Sequence, residues 1–207
     1  MIAAVPVPVP VEAVGSHPDF RPLAGIQGVA HDLRYAGNNN FAGRVLYPGI
    51  DCAWVRREAA EGLEAAARWL THERPGHTLL VLDALRPQRV QRAIWAEVAG
   101  TPDELYFANP EPGSIHSYGM AVDVTLLDAQ GRECDMGSGF DEMSEISHPA
   151  LHAEHLASAA LSAAQVAERE WLRRAMEAGG FHGISTEWWH FDHGLRSHIR
   201  RSLPKVE

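Results

Sequence analysis

Cysteine is scarce in this sequence: 207 residues contain two, Cys52 and Cys134. Two thiols in a chain of this length do not make a disulfide scaffold, and a Cys52–Cys134 bridge would be an isolated link. No C-x-x-C pair occurs, so a thiolate structural zinc is not expected. Positive charge is also in short supply. Eighteen Lys and Arg stand against 27 Asp and Glu, a formal net charge of −9. Nucleic acid and anionic membranes would repel such a chain before contact. No window approaches the run of 18 or more apolar residues that a membrane span needs. The first residues are apolar but lack a basic n-region, and Pro6, Pro8 and Pro10 forbid regular helix there. They do not read as a signal peptide. The expected compartment is the cytoplasm, with residues 1–15 as an extended arm and 16–207 as one domain.

What is present is ordinary globular material: 45% hydrophobic and 22% charged residues, enough for a real core. Residues 51–73 read as a helix, with Asp51 as a candidate cap and Trp54, Val55, Leu63, Ala66, Ala67 and Leu70 at helical spacing. Residues 78–82 suit a buried strand. Pro87 opens a helix over 87–99, since proline is welcome in a first turn. Residues 109–114 read as a loop and 120–127 as a strand, with Val122 and Val124 on one side and Ala121, Asp123 and Thr125 on the other. A turn at 129–132 leads into a short strand near 133–136, followed by an acidic loop over 137–150. A helix is expected at 164–178, stopped by Gly179-Gly180, and a last strand at 186–192. Helices and strands mix without βαβ regularity. The expected fold class is therefore α+β, one domain with a largely antiparallel central sheet flanked by helices.

Two stretches carry chemistry. Ser114-x-His116-Ser-x-Gly119-x-Ala121-x-Asp123 offers an imidazole and a carboxylate as metal ligands, and Glu187-Trp-Trp-His190 offers a second imidazole. Two neutral imidazoles, one carboxylate and an open fourth position are how a catalytic zinc is held. Fe²⁺, Co²⁺ or Mn²⁺ would accept the same donors. Glu187 is the nearby carboxylate able to take a proton from water. Each residue alone has a plainer explanation, because a chain with 12 histidines keeps most of them at the surface or in hydrogen bonds. One spacing poses a problem. In a regular strand Glu187 and His190 point to opposite faces, so the chain must bulge or turn between them, or Glu187 must reach in from the strand end.

These motifs, with Asp83-x-x-Arg86-Pro87, resemble the zinc D-alanyl-D-alanine dipeptidases, the VanX-type enzymes that hydrolyse the free dipeptide. Tyr35-Ala36 with Asn40-Phe41-x-Gly43, and Met136-Gly-Ser-x-Phe140-Asp141 followed by Ser147-His148, extend the likeness over about residues 30 to 192. The resemblance implies one zinc ion per chain on His116, Asp123 and His190, Glu187 as general base and acid, and Arg86 as the group that stabilises the tetrahedral intermediate. It implies Tyr35, Ser114 and Asp141 as residues holding the ends of the dipeptide: Asp141 as the ammonium partner, Ser114 as a donor to the carboxylate. Trp188 and Trp189 read as packing. Two departures stand out: Tyr118 where the best-known members carry arginine, and Ala84-Leu85 where glycine and an aromatic are usual. The competing readings are a zinc D,D-carboxypeptidase or endopeptidase acting on peptidoglycan stem peptides, and a non-catalytic zinc-binding module. The expected partner is a small dipeptide, with no nucleic acid or membrane, and the sequence is silent on oligomeric state.

Overall fold

Three adjacent strands put three polar residues in one row, and the rest of the fold supports that row. The computed structural model describes residues 6–207. Its regular elements run in the order β1 (Phe20–Pro22), β2 (Val29–His31), β3 (Trp54–Arg56), α1 (Arg57–Glu73), β4 (Thr78–Asp83), α2 (Gln88–Val98), β5 (Ala121–Leu127), α3 (His152–Ala157), α4 (Ala163–Ala178), β6 (Phe181–Gly183), β7 (His190–His193) and α5 (Arg196–Ser202), with short 3-10 turns between them. The main sheet has the order β2-β4-β5-β7-β6; β2 runs parallel to β4 and the other pairs are antiparallel. β1 and β3 form a separate antiparallel ribbon. The fold is the expected α+β domain with a largely antiparallel sheet.

The row arises from register. Asp83 on β4 pairs with Asp123 on β5, and Asp123 pairs with His190 on β7. β4 reaches that register through an irregularity between Val81 and Asp83, which inserts Leu82 opposite no partner. Such a bulge re-aims the next side chain. Because side chains alternate along a strand, Val122 and Val124 face the apolar layer and Asp123 faces away from it. That layer is built by α1 and α4. In α1 the buried positions Ala59, Ala60, Leu63, Ala66, Ala67 and Leu70 trace one helical stripe. The two helices approach so closely that a Cβ on Gly62 would lie 2.6 Å from the Gly179 carbonyl oxygen, and one on Gly179 would lie 2.3 Å from that of Gly62. α4 starts at a capping box, with Ser162 Oγ accepting from the Gln165 backbone and the Gln165 side chain accepting from the Ser162 backbone.

Several expected boundaries move. The helix expected from residue 51 begins at Arg57, because Trp54 and Val55 are taken into β3, paired with Pro22 and Arg21. Asp51 caps no helix; its carboxylate accepts from the Ala53 amide and the Trp54 indole. The strand expected near 133–136 reduces to one bridge, Leu127 to Glu133, and the bond from the Cys134 amide to the Leu126 carbonyl. The strand expected over 186–192 starts only at His190 and runs to His193. β6, α3 and α5 lay in stretches too short or too polar for a periodicity reading. Cys52 and Cys134 are both free thiols. The arm expected over 1–15 falls partly outside the described residues. Within them, Val9 bridges Val206, residues Val11–Ser16 form a 3-10 turn, and Val9, Val11 and Val14 are buried. No helix among the described residues is long and apolar enough to cross a membrane.

Candidate metal and catalytic site

His116 reaches the row from a tight turn. Residues Ile115–Tyr118 form one 3-10 turn that ends at Gly119, whose φ of 69° is left-handed. A Cβ at Gly119 would lie 3.0 Å from the Phe20 ring and 3.2 Å from the Arg56 amide nitrogen, so only glycine lets the chain fold back here. His116 Nε2, His190 Nδ1 and Asp123 Oδ1 then converge. Their separations are 3.2 Å between the two nitrogens, 3.3 Å from His116 to Asp123 and 3.0 Å from His190 to Asp123. Ligands held tetrahedrally at ~2.0–2.1 Å from one cation lie roughly 3.3 Å apart, so these three donors fit a single divalent ion of the zinc type. The outer nitrogens are engaged as well: His116 Nδ1 with the Ala84 carbonyl oxygen at 2.8 Å, and His190 Nε2 with Asp192 Oδ1 at 2.9 Å. Such contacts fix ring orientation and tautomer at metal sites.

The charges are arranged to be shared. Burial alone would raise the Asp123 carboxyl, but the His116 and His190 imidazoles outweigh it and hold that group well below the usual carboxylate range. Burial alone would lower His190, yet the Asp192 and Asp123 carboxylates push it up to about 10. A cation among these atoms would compete with protons for the same lone pairs.

Glu187 precedes β7 on a bent segment, outside the strand, and this answers the facing problem. It lines the same cavity as His190. Loss of hydration, with Asp123 nearby, pushes its carboxyl up to about 7, and His190 and Arg86 only partly offset this. Arg86 is buried and heavily braced. Its Nε and one terminal nitrogen donate to Asp83 Oδ2 at 3.0 and 2.7 Å, and the other terminal nitrogen donates to Gln91 Oε1 at 3.2 Å. Tyr47 donates to the second oxygen of Asp83 at 2.5 Å. The guanidinium stacks 4.9 Å from the Tyr35 ring centroid and comes within 3.5 Å of Asp123 Oδ2.

A family model described as D-ala-D-ala dipeptidase, of the peptidase M15 type, matches residues 18–205. The chain is 37% identical over 162 residues to the D-alanyl-D-alanine dipeptidase of Escherichia coli strain K12, covering 78% of this chain and 77% of that one. It is 33% identical over 189 residues to the D-alanyl-D-alanine dipeptidase of Enterococcus faecium, covering 80% and 86%. This chain belongs to the D-Ala-D-Ala dipeptidase family.

The resemblance read from the motifs therefore names the right family, and the geometry gathers the motif residues it pointed to. Tyr35, Arg86, Ser114, His116, Asp123, Asp141, Glu187 and His190 all line one cavity of about 280 Å³. Asp141, at a left-handed φ of 59°, sits on the loop after residue 136. It accepts from the Tyr35 hydroxyl at 3.4 Å and the Phe41 amide at 3.3 Å, both long bonds. Loss of hydration and the Asp123 charge raise its carboxyl well above the usual range. Arg169 of α4 secures that loop at both ends: it donates to the Met136 and Ile146 carbonyl oxygens at 2.6 and 2.9 Å and to Ser138 Oγ at 3.0 Å. Trp188 donates to the same Ser138 hydroxyl at 2.9 Å, and Trp189 is 1% exposed against Phe140. Both tryptophans pack.

Sequence reasoning missed Asp192, although His190-x-Asp192 at strand spacing puts both on one face and was the available signal. It also missed Arg196 and Arg200 of α5, which line the cavity. No local pattern marks them, because α5 meets the site only through the tertiary fold.

Proposed function

We propose that this chain is a zinc D-alanyl-D-alanine dipeptidase that hydrolyses the free dipeptide to two D-alanines in the cytoplasm. Residues 16–207 form its catalytic unit, and one zinc ion sits on His116, Asp123 and His190. The observation that carries the reading is the convergence of that donor set with Glu187 and Arg86 on one small cavity. A non-catalytic zinc module has no use for a braced arginine and a raised carboxyl beside its ligands.

When bound, the zinc ion supplies Lewis acidity, activating water near neutral pH and polarising a carbonyl. Glu187 accepts the proton of the attacking water and passes it to the leaving amine. Its raised affinity for a proton suits both halves of that task. Arg86 meets the negative charge that grows on the attacked oxygen. Asp83, Gln91 and the Tyr35 ring fix its fork in advance, so little reorganisation accompanies the reaction. Asp141 takes the substrate ammonium, which supplies the cation that its two long hydrogen bonds do not. Ser114 faces the carboxylate end.

The test is hydrolysis of D-Ala-D-Ala by purified protein before and after chelation, with zinc add-back. Activity lost on chelation and restored by zinc is the expected result. Cleavage of a stem pentapeptide with no cleavage of the free dipeptide assigns the chain to D,D-carboxypeptidase or endopeptidase chemistry instead.

A further inference from the structure

We propose that Arg200 of α5 anchors the free carboxylate of the substrate and is a specificity-determining residue of this cavity; the proposal rests on the dipeptidase reading above. Three arginines line the cavity: Arg86, Arg196 and Arg200. Arg86 is braced by Asp83 at 2.7 Å and already assigned to the attacked oxygen. Arg196 is neutralised by Asp192, the carboxylate that also holds His190. Arg200 is different. It donates one terminal N–H to the neutral Gly113 carbonyl oxygen at 3.0 Å, and among the described residues no carboxylate pairs with it; its Nε is buried, so its terminal nitrogens are the ones a ligand would meet. A half-buried guanidinium left with one neutral acceptor is poised for an anion.

Its position suits the substrate's anionic end. The bond to Gly113 sets the guanidinium beside Ser114, a cavity-lining residue that is 4% exposed. Asp141 and Tyr35, the groups suited to the ammonium, come from a separate wall built by the 137–150 loop and the turn at Arg34–Ala36. A zwitterionic dipeptide would therefore meet an uncommitted cation and an under-bonded carboxylate on different elements. The departure at position 118 also finds its place. Tyr118 is 2% exposed and its hydroxyl donates to the Pro112 carbonyl oxygen at 3.0 Å, so the side chain between Ser117 and Gly119 supplies no charge. Arg56 and Lys205 also lie close to this turn, but of these three cations Arg200 is the one that lines the cavity.

A guanidinium takes a carboxylate with two parallel N–H bonds, and losing a charge-assisted contact of that kind costs about 10- to 100-fold in binding. The experiment compares D-Ala-D-Ala with its C-terminal amide in the zinc-loaded wild type, Arg200→Met and Arg200→Lys. The wild type should favour the free acid by about 10- to 100-fold in kcat/KM. Arg200→Met should raise KM for the acid by a similar factor, change kcat far less, and lose most of the preference for acid over amide. Arg200→Lys should shift the same way by less, and it carries the comparison if the methionine variant fails to fold. Zinc content measured alongside should not change. An Arg200→Met protein with wild-type KM, or one weakened equally on acid and amide, overturns the proposal. A wild type inert on the free acid overturns the dipeptidase reading itself, a separate result.

Discussion

The two halves of the cavity are built differently. On the side proposed to hold the metal, Asp123 and His190 stand on neighbouring strands, His116 is locked by a glycine-closed turn, and the contacts from the rings to Ala84 and Asp192 are 2.8 and 2.9 Å. On the side proposed to recognise the dipeptide, Asp141 sits on a loop with bonds of 3.3 and 3.4 Å, and Arg200 comes from a seven-residue helix with a single bond to Gly113. The contrast teaches where each task is placed. Chemistry needs donors held to within about half an ångström, which sheet register provides. Recognition needs polar groups left partly unsatisfied, so that substrate completes them.

The contrast can be broken from the chemical side first. Glu187→Gln should lower kcat by about 10² to 10⁴ while zinc content stays at the wild-type value, because the carboxylate handles protons and does not hold the ion. Metal analysis beside steady-state kinetics checks both halves, and a variant with normal turnover would remove Glu187 from the mechanism. Next in size is the support behind a ligand. Asp192→Asn should weaken zinc affinity by about 10- to 100-fold, measured by competition with a chelator of known affinity. An unchanged affinity would show that His190 needs no second anchor.

The smallest effect sharpens the contrast through pH. Glu187 must be ionised to act as base, and burial lifts its carboxyl to about 7 in the metal-free protein. A bound cation favours the ionised form, so the acid limb should lie at or below that value. kcat/KM should fall about tenfold for each pH unit below the limb, as expected for one protonation. A rate that rises as pH drops would have the wrong sign for a base.

Much of the ligand side was legible because its residues lie close in sequence and in short motifs. His116 and Asp123 flank one glycine, so local spacing already hinted at a shared target, whereas the three-residue step from Glu187 to His190 argued against one until the strand was found to start at His190. The row Asp83, Asp123, His190 was not legible, since it depends on a bulge after Val81 and on which strands pair. The start of α1 was misread for a related reason. Trp54 and Val55 fit the helical stripe, yet pairing with β1 captured them first. Arg200 lay beyond reach altogether, because no residue near it in the chain shares its purpose.

Arg169 binds main-chain oxygens at positions 136 and 146 together with the hydroxyl at 138. Its guanidinium works like a buckle that closes a strap of fixed length. Inserting or deleting a residue inside that span would pull one end off the buckle, whereas swapping side chains at 140, 141 or 143 leaves it fastened. For anyone seeking to retune which peptide this family member accepts, substitution within the strap is the open route and changing its length is the closed one.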